Sequence, residues 1–263
     1  MQLRATVRRA RRRAAQGGGV LLLAGGVLLV ANELVLSDDP IGPAPVRVRV
    51  LAPGTFESAH AYAPYYVVPS SRIADPSKLS RAATSGFVTR PEAALAKGAL
   101  AGSPQVVRLE LRSTTSARVT VGDVRFRVVS AARPVKGWFT AQPACAQTRV
   151  RLARVNLDRR PQSVRYVDAG GSSTPTLALA LDRHTPAVLE LQAATSRRRV
   201  AWTATLSVSR DGVPPQRVTV DDGGEPFRVT ATRSSRGYAP RFGATGVSGF
   251  ARERTWDGGI KGC

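Results

Sequence analysis

The 263-residue sequence is poor in side chains that usually carry chemistry: it has two cysteines, two histidines, one methionine and 6% aromatic residues. His60 and His184 stand alone, without the H-x-H or H-E-x-x-H spacing of a zinc site. No G-x-S-x-G or S-x-x-K motif is present, because Gly246-Val247-Ser248-Gly249 lacks the second spacer residue. We therefore predict no catalytic, cofactor-binding or metal site. A Gly-X-Y or heptad period is also missing, which excludes collagen and coiled coils.

Lysine is scarce as well, and the basic character comes from arginine. The chain has 39 basic and 18 acidic residues, a net charge of +21, and only four of the basic residues are lysines. A surface this basic attracts polyanions. The alternative is codon bias, because GC-rich codons supply arginine together with Ala, Gly, Pro and Val. The hydrophobic fraction of 43% is high enough for a packed domain.

The N-terminal region predicts the compartment. Residues 1–16 carry six arginines and no acid, and a largely apolar run follows from Gly17 to Leu36. As a helix, this run would span about 30 Å, the thickness of the hydrocarbon core of a bilayer. The arginines stay on the cytoplasmic side. We expect a single-pass plasma membrane protein with residues 1–16 as a cytoplasmic tail, 17–36 as the span and the remainder extracytoplasmic.

A cleaved signal peptide is the alternative to a retained span. The uninterrupted apolar stretch from Gly17 to Ala31 has 15 residues, which a signal peptide can also have. No clean A-x-A cleavage site follows it. Cleavage would make the protein secreted, and in both cases most of the chain is exported.

The predicted span has a stripe of small residues. Gly18 and Gly25 are seven residues apart, and so are Gly19 and Gly26. Such a stripe lets a second helix approach closely, so these four glycines are candidate helix-contact residues, with another membrane protein as a candidate partner. The abundance of glycine in the chain explains the same pattern without any contact.

The exported part divides into a spacer at 37–44, a domain at 45–242 and a Gly-rich tail at 243–263. Within the domain, Asp75-Pro76 and the Thr-x-x-Glu spacing from Thr89 to Glu92 predict two short helices, 76–84 and 91–100, in a helical segment at 75–100. From Gln105 onward, apolar and polar residues alternate in short runs. We predict an all-β fold, an antiparallel, immunoglobulin-like β-sandwich.

Several runs show this alternation clearly. Val46, Val48 and Val50 alternate with arginines, and in the longest run the apolar set is Val200, Trp202, Ala204, Leu206 and Val208. The parity slips near Gly122-Asp123, because the valines before it are odd-numbered and Val124, Phe126 and Val128 are even-numbered. A β-bulge at that point would restore the facing.

Two sequences predict tight turns. Residues 210–215 contain Asp211-Gly212, and residues 221–224 read Asp-Asp-Gly-Gly. Asp221, Asp222 and Glu225 form an acidic cluster that could bind Ca²⁺, but it lacks the D-x-D-x-D-G ligand ladder, and we favour a plain charged turn.

The sequence Asp222-Gly-Gly-Glu-Pro-Phe-Arg-Val-Thr-Ala231 follows a long strand with a Trp and the Asp211-Gly212 turn. With Cys145, the Gly170-Gly171 loop and Leu177-Ala-Leu-Ala-Leu-Asp182, it resembles uncharacterised actinomycete proteins over about residues 105–242. Those proteins have a basic N-terminus, one membrane span and an extracellular all-β domain. The resemblance implies topology and fold, and no activity or site.

Cysteine usage in an exported chain predicts a disulfide. Cys145 and Cys263 are the two cysteines, and a bridge between them would close a long loop and stabilise the fold by about 4–5 kcal/mol in the chain-entropy model. The alternatives are an intermolecular bridge through Cys263 or two free thiols.

Strand alternation places six arginines opposite apolar faces, where we expect them to face solvent and form a candidate anion-binding face: Arg47, Arg49, Arg125, Arg127, Arg149 and Arg151. The triplet Arg197–Arg199 is a further basic run. Export separates these arginines from nucleic acid, so the available anions are cell-wall polymers and acidic lipid headgroups.

These observations favour a membrane-tethered, non-enzymatic domain that binds or scaffolds at the cell envelope. The first alternative is an envelope enzyme whose site is assembled from dispersed residues, such as His60, Asp168, Asp182 and His184. The second is an accessory subunit of a membrane complex.

Overall fold

A computed structural model describes residues 44–51, 65–80, 83–84, 98–141, 150–233, 235–243 and 246–252 of the chain. These residues are almost entirely strands and turns, so the predicted all-β class is confirmed. The strands are β1 Val46–Leu51, β2 Tyr65–Pro69, β3 Leu100–Gly102, β4 Gln105–Ser113, β5 Val119–Ala132, β6 Gly137–Ala141, β7 Arg151–Asn156, β8 Val164–Val167, β9 Ser173–Thr174, β10 Leu179–Leu181, β11 Ala187–Ala194, β12 Arg199–Arg210, β13 Val213–Val220, β14 Phe227–Thr230, β15 Arg236–Gly243 and β16 Gly246–Arg252.

The strands form two sheets. The six-stranded sheet has the order β1-β4-β11-β7-β8-β9. The ten-stranded sheet has the order β10-β5-β12-β14-β3-β2-β6-β15-β16, with β13 paired to β12 beside this path.

Both sheets are mixed, which corrects the prediction of purely antiparallel strands. Strand β11 runs parallel to β7, β14 runs parallel to β3, and β15 runs parallel to β6. Alternation of apolar and polar residues shows which face of a strand is buried, but it carries no information about the direction of the neighbouring strand.

One core joins the two sheets. Val46 of β1, Leu109 of β4 and Leu189 of β11 belong to the same buried cluster as Phe126 of β5 and Trp202 of β12. Since alternate residues of a strand point to opposite faces, the core-facing residues of each sheet leave the intervening ones on an outer face.

Strand β12 pairs with β5, β13 and β14 in the ten-stranded sheet and follows its predicted pattern. Its five alternating apolar residues from Val200 to Val208 are all at most 1% exposed. The Trp202 ring lies 5.4 Å from the Phe126 ring and 4.8 Å from the Phe227 ring, measured between centroids. Its indole N–H donates a hydrogen bond of 2.9 Å to Oε1 of Gln105, so the polar atom of this buried ring has a partner.

The bulge predicted from the parity slip in β5 is confirmed. Asp123 pairs with Ser207 and Val121 pairs with Val208, so Gly122 has no partner in β12. The shift lets Val121 and Val124 both enter the core, and both are completely buried. A second irregularity follows at Val129, between the partners of Ala201 and Trp202.

The two predicted tight turns are also present. Gly212, at φ +76°, lies in the turn between β12 and β13, and Gly223 and Gly224 both have positive φ between the bridged residues Asp222 and Glu225. Pro214 and Pro215 belong to β13 rather than to the connection. Prolines are tolerated there because β12 is the one described strand that pairs with β13.

The predicted helical segment is described only in part. Residues Pro76–Lys78 form one turn of 3-10 helix, which the Asp75 carboxylate caps. Ala83 and Thr84 are α-helical, and the Thr84 amide donates to the Ser80 carbonyl over 2.9 Å. Strand β3 begins at Leu100, the last residue of the predicted second helix, so that predicted bound is wrong. Residues 85–97 lie outside the described residues.

The predicted tail contains strand β16, which pairs antiparallel with β15. Its apolar residues Val247 and Phe250 differ in parity, and the pairing with β15 shifts register between Val247 and Gly249, so the sequence shows no simple alternation. The predicted span 17–36, its glycines Gly18, Gly19, Gly25 and Gly26, and both cysteines lie outside the described residues. Within those residues, no helix has the length and apolar character that crossing a bilayer requires.

A second, smaller core lies around Trp138 of β6, where the ring packs edge-on against Tyr238 with centroids 6.0 Å apart. Strands β2 and β6 approach closely at Gly137, since a Cβ there would lie 2.0 Å from the carbonyl oxygen of Val68. Only glycine fits this crossing.

Replacing Trp202 with Ala should lower the free energy of unfolding by about 4 kcal/mol, because the change opens a cavity between two rings and leaves Gln105 without its donor. Trp202→Phe should cost about half as much, since a ring remains. Denaturant unfolding followed by circular dichroism measures both, and a cost below about 1 kcal/mol for Trp202→Ala would contradict the assigned core.

Candidate functional site

Strand β5 has an open edge in the ten-stranded sheet. Its residues from Val119 to Val121 pair with β10, whereas its other edge pairs with β12 along the strand from Val119 to Ala132. Among the described residues, no strand pairs with 122–132 on the β10 side. Sheet edges expose main-chain donors and acceptors that a further strand can use.

The alternation of main-chain groups shows which residues present them at this edge. The Val124 N–H points away from β12, because it donates to the Tyr166 hydroxyl over 3.1 Å. Pairing with β12 is regular from Val124 to Val128. In an antiparallel ladder every second residue faces the same side, so the N–H and C=O groups of Phe126 and Val128 also point to the open edge.

A hydrogen-bond network lies at the end of this edge that is nearest to β10. The Tyr166 hydroxyl donates to Oδ1 of Asp123 over 2.6 Å, and Nε of Arg125 donates to Oδ2 of Asp123 over 3.2 Å. Tyr166 belongs to β8 of the six-stranded sheet, so this network ties the two sheets together at the bulge.

The surroundings shift the pKa values of both acidic groups of the network, Tyr166 and Asp123. Burial, and then the hydrogen bond to Asp123, raises the pKa of Tyr166 to about 12. Burial opposes ionisation of Asp123, but hydrogen bonds from Tyr166, Arg125 and the Val124 amide lower its pKa below the ordinary value. At neutral pH the phenol stays protonated and the carboxylate stays ionised, so both act as fixed hydrogen-bonding groups.

The open edge forms one wall of a cleft of about 730 Å³. Four apolar residues belong to its lining and are called the floor here: Val124, Phe126, Val128 and Val164. Val124 and Phe126 are buried, whereas Val128 and Val164 are partly exposed. Three arginines line it at the surface, Arg125 and Arg127 from β5 and Arg160 from the β7–β8 connection, and all three are exposed. The cleft thus combines an apolar floor, a strand edge without a partner strand among the described residues, and a cationic rim.

Asp158 holds the β7–β8 connection, which carries Arg160, in place. Its carboxylate accepts hydrogen bonds from the Ser196 amide over 2.7 Å, the Thr195 hydroxyl over 2.9 Å and Nε of Arg198 over 3.2 Å. Burial opposes its ionisation, but these donors hold the pKa of Asp158 below its ordinary value. The β7–β8 connection is therefore fastened to the β11–β12 connection.

The predicted anion-binding face divides between the two sheets. Arg47 and Arg49 are exposed on β1 of the six-stranded sheet, and Arg125 and Arg127 are exposed on β5 of the ten-stranded sheet. Because both strands turn their valines into the shared core, the two pairs of arginines point away from each other. Arg49 also forms an ion pair of 3.0 Å with Glu110.

The expectation for Arg151 is wrong. Buried Ala153 and Val155 set the core face of β7, and Arg151 shares their parity and is half-buried at the start of the strand. The pattern of residues 149–152 indicated the opposite phase, with Leu152 facing inward. Leu152 instead lies beside Glu190 on the outer face. Arg149 is outside the described residues.

The triplet Arg197–Arg199 is not a uniform charged run. Arg197 and Arg199 are exposed, whereas Arg198 is half-buried in its ion pair with Asp158. The same guanidinium donates to the carbonyl of Leu157 over 3.1 Å. Arg198 therefore links the β11–β12 connection to the β7–β8 connection.

The enzyme hypothesis uses four dispersed residues. Those that the structure describes, Asp168, Asp182 and His184, lie in turns. Asp182 accepts from the amides of Thr185 and His184, which lower its pKa. Asp168 accepts from the amides of Gly170 and Ser172 in another turn. These carboxylates thus serve main-chain donors in exposed loops, and His60 is outside the described residues.

The acidic turn also uses its carboxylates locally. Asp221 accepts from the Gly224 amide over 2.8 Å, and Glu225 pairs with Arg228 over 3.6 Å. Burial, followed by repulsion from Asp221, raises the pKa of Asp222. No group of three ligand-type side chains able to hold a metal occurs within the described part of the chain. Asp221 and Glu225 thus have partners within the turn and in the strand that follows it.

Sequence reasoning missed Tyr166, Arg160 and Asp158. Tyr166 occupies a core position of a short strand, and its phenol reaches a carboxylate 43 residues earlier in the chain. No local pattern indicates such a pair. The parity slip at Gly122 was the one available signal, because a bulge often marks a place where a strand edge has a special role.

Comparison with protein-family models, curated proteins and solved structures finds no match to this chain.

Replacing Tyr166 with Phe should lower the free energy of unfolding by about 1–3 kcal/mol, because the Val124 amide and the Asp123 carboxylate lose their shared partner. Thermal or denaturant unfolding measures the change. Tyr238→Phe is the matched control, because it removes a hydroxyl from the second core and leaves the network intact. Equal effects of the two variants would contradict the role of the Tyr166 hydroxyl.

Proposed function

We propose that the chain is a membrane-tethered, extracytoplasmic binding domain that holds an anionic partner at the cell envelope. The observation that carries this proposal is the cleft beside β5, where Arg125, Arg127 and Arg160 surround an apolar floor. Asp123 is the acid that lines the cleft, and Arg125 pairs with it. The rim therefore keeps a positive excess that attracts anions.

The titratable groups of the cleft favour binding over catalysis. The Tyr166 hydroxyl is a poor base or nucleophile with a pKa of about 12. Asp123 accepts bonds from Tyr166 and Arg125, which hold its carboxylate in place. What the cleft offers to a ligand is positive charge, apolar surface and main-chain donors and acceptors.

The fold within this proposal is an immunoglobulin-like sandwich. The shared core of the two sheets and the alternation of β12 support it. The tether is the apolar run 17–36, which follows the arginine-rich N-terminus. The bridge between Cys145 and Cys263, the glycine contact stripe and the resemblance to actinomycete single-span proteins belong to the same proposal.

Changing Arg125, Arg127 and Arg160 together to Gln should weaken binding of poly-L-glutamate to the full-length protein by about tenfold. Each exposed ion pair contributes about 0.2–1 kcal/mol, and three lost together approach the 1.4 kcal/mol of a tenfold change. Fluorescence anisotropy in mild detergent at low salt measures the affinity, which should also fall as salt screens the charges.

The matched control changes Arg47, Arg49 and Arg112 to Gln, because these exposed arginines carry the same total charge on the other sheet. This control should lose less than about threefold. Equal losses in the two triple variants would show attraction by net charge alone and would contradict a site at the cleft.

A further inference from the structure

The cleft offers a ligand more than charge, because its wall is a strand edge that no other described strand pairs with after Val121. Phe126 and Val128 direct main-chain N–H and C=O groups into it, as the alternation from the Val124–Tyr166 hydrogen bond requires. The open edge from Phe126 to Ala132 has seven residues and is about 23 Å long at strand spacing. A short peptide segment in extended form has these dimensions.

We infer that the cleft takes an extended acidic segment of a partner protein, which adds to the ten-stranded sheet as an antiparallel strand beside β5. This inference rests on the proposed function and names the chemical class of its partner. Strand addition obtains affinity from main-chain hydrogen bonds and specificity from alternate side chains.

The two faces of β5 determine the sequence pattern that such a segment needs. Phe126 is 8% exposed and lies on the core side, with Val128 and Val164 beside it on the cleft floor. Arg125 and Arg127 lie on the outer side. A paired strand therefore presents apolar side chains inward and acidic side chains outward, alternating with period two.

An exposed apolar side chain adds to the argument. Val129 is 49% exposed, and among the described residues it is the one large hydrophobic side chain that is exposed. It lies on β5 immediately after the cleft residues, at the second register irregularity. A strand that continued along this edge would cover it.

Charge argues against two other occupants. A second copy of β5 would bring its own Arg125 and Arg127 against the same residues, and like charges across a strand pair are destabilising. Inorganic polyphosphate would satisfy the arginines, but it carries no amide groups for Phe126 and Val128 and no apolar groups for the floor. An acidic polypeptide satisfies all three features.

The test measures how tightly two seven-residue peptides bind to the full-length protein in mild detergent. In both peptides Glu alternates with Val, and the two differ in which amides are N-methylated. In antiparallel pairing with Phe126 and Val128, the inward Val residues direct their amides at β5 and the Glu residues direct theirs away. N-methylation of the Val amides should therefore weaken binding at least tenfold, whereas N-methylation of the Glu amides should change it by less than about threefold. Equal affinities, the reverse order or no binding of either peptide would overturn the inference.

Two further arms identify the source of any failure. A peptide in which Lys replaces Glu should bind at least tenfold more weakly, because it keeps the amides and reverses the charge. If both methylated peptides bind alike while the Gln variant of Arg125, Arg127 and Arg160 weakens both, strand addition is wrong and the anion-binding site stands. Displacement of the peptide by polyphosphate as readily as by poly-L-glutamate would likewise overturn the choice of a polypeptide.

Discussion

The register shift at Gly122 is the constraint on which the cleft depends. Strand β5 must direct Val121 and then Val124 into one core, and it can do so only if one residue stays out of the pairing with β12. Pairing with β10 ends at Val121, directly before the shift. A bulge bends a strand and strengthens its twist. Beyond it no described strand pairs with this edge of β5, and Arg160 of the β7–β8 connection lines the same cleft.

The residues that protect the open edge are also the ones on which the proposed binding depends. Exposed edges invite aggregation, and proteins commonly guard them with charged side chains. Here Arg125 and Arg127 repel a second copy of the strand, and the Tyr166 hydroxyl occupies the Val124 amide. Repulsion between identical edges becomes attraction when the incoming strand is acidic. An edge guarded by arginines therefore discriminates between incoming strands by the sign of their charge.

Local alternation predicted the strands well where one face is buried. It placed the five core residues of β12 correctly, and it located the bulge because the slip occurs within one continuous apolar pattern. It failed at Arg151, where four residues indicated one phase and the buried pair Ala153 and Val155 set the other. The phase of a strand is decided by the residues that the core accepts, and a short run at a strand start contains too few of them.

The arrangement of the strands was beyond the same reasoning. The six arginines looked like one face because their strands have similar patterns, but β1 and β5 belong to different sheets. The cleft combines β5 with Tyr166 and Arg160, and both of these lie beyond the β7 strand in sequence. Contacts of this kind depend on which strands become neighbours, and in these mixed sheets neither the order nor the direction of strands follows from periodicity.

Amide hydrogen exchange in the ligand-free protein, resolved by residue with NMR, tests the open edge most directly. The amides of Arg125 and Arg127 point to β12 and should exchange slowly, whereas those of Phe126 and Val128 should exchange far faster because they lack a strand partner. Slow exchange at all four positions would show that the edge is covered and would contradict the account.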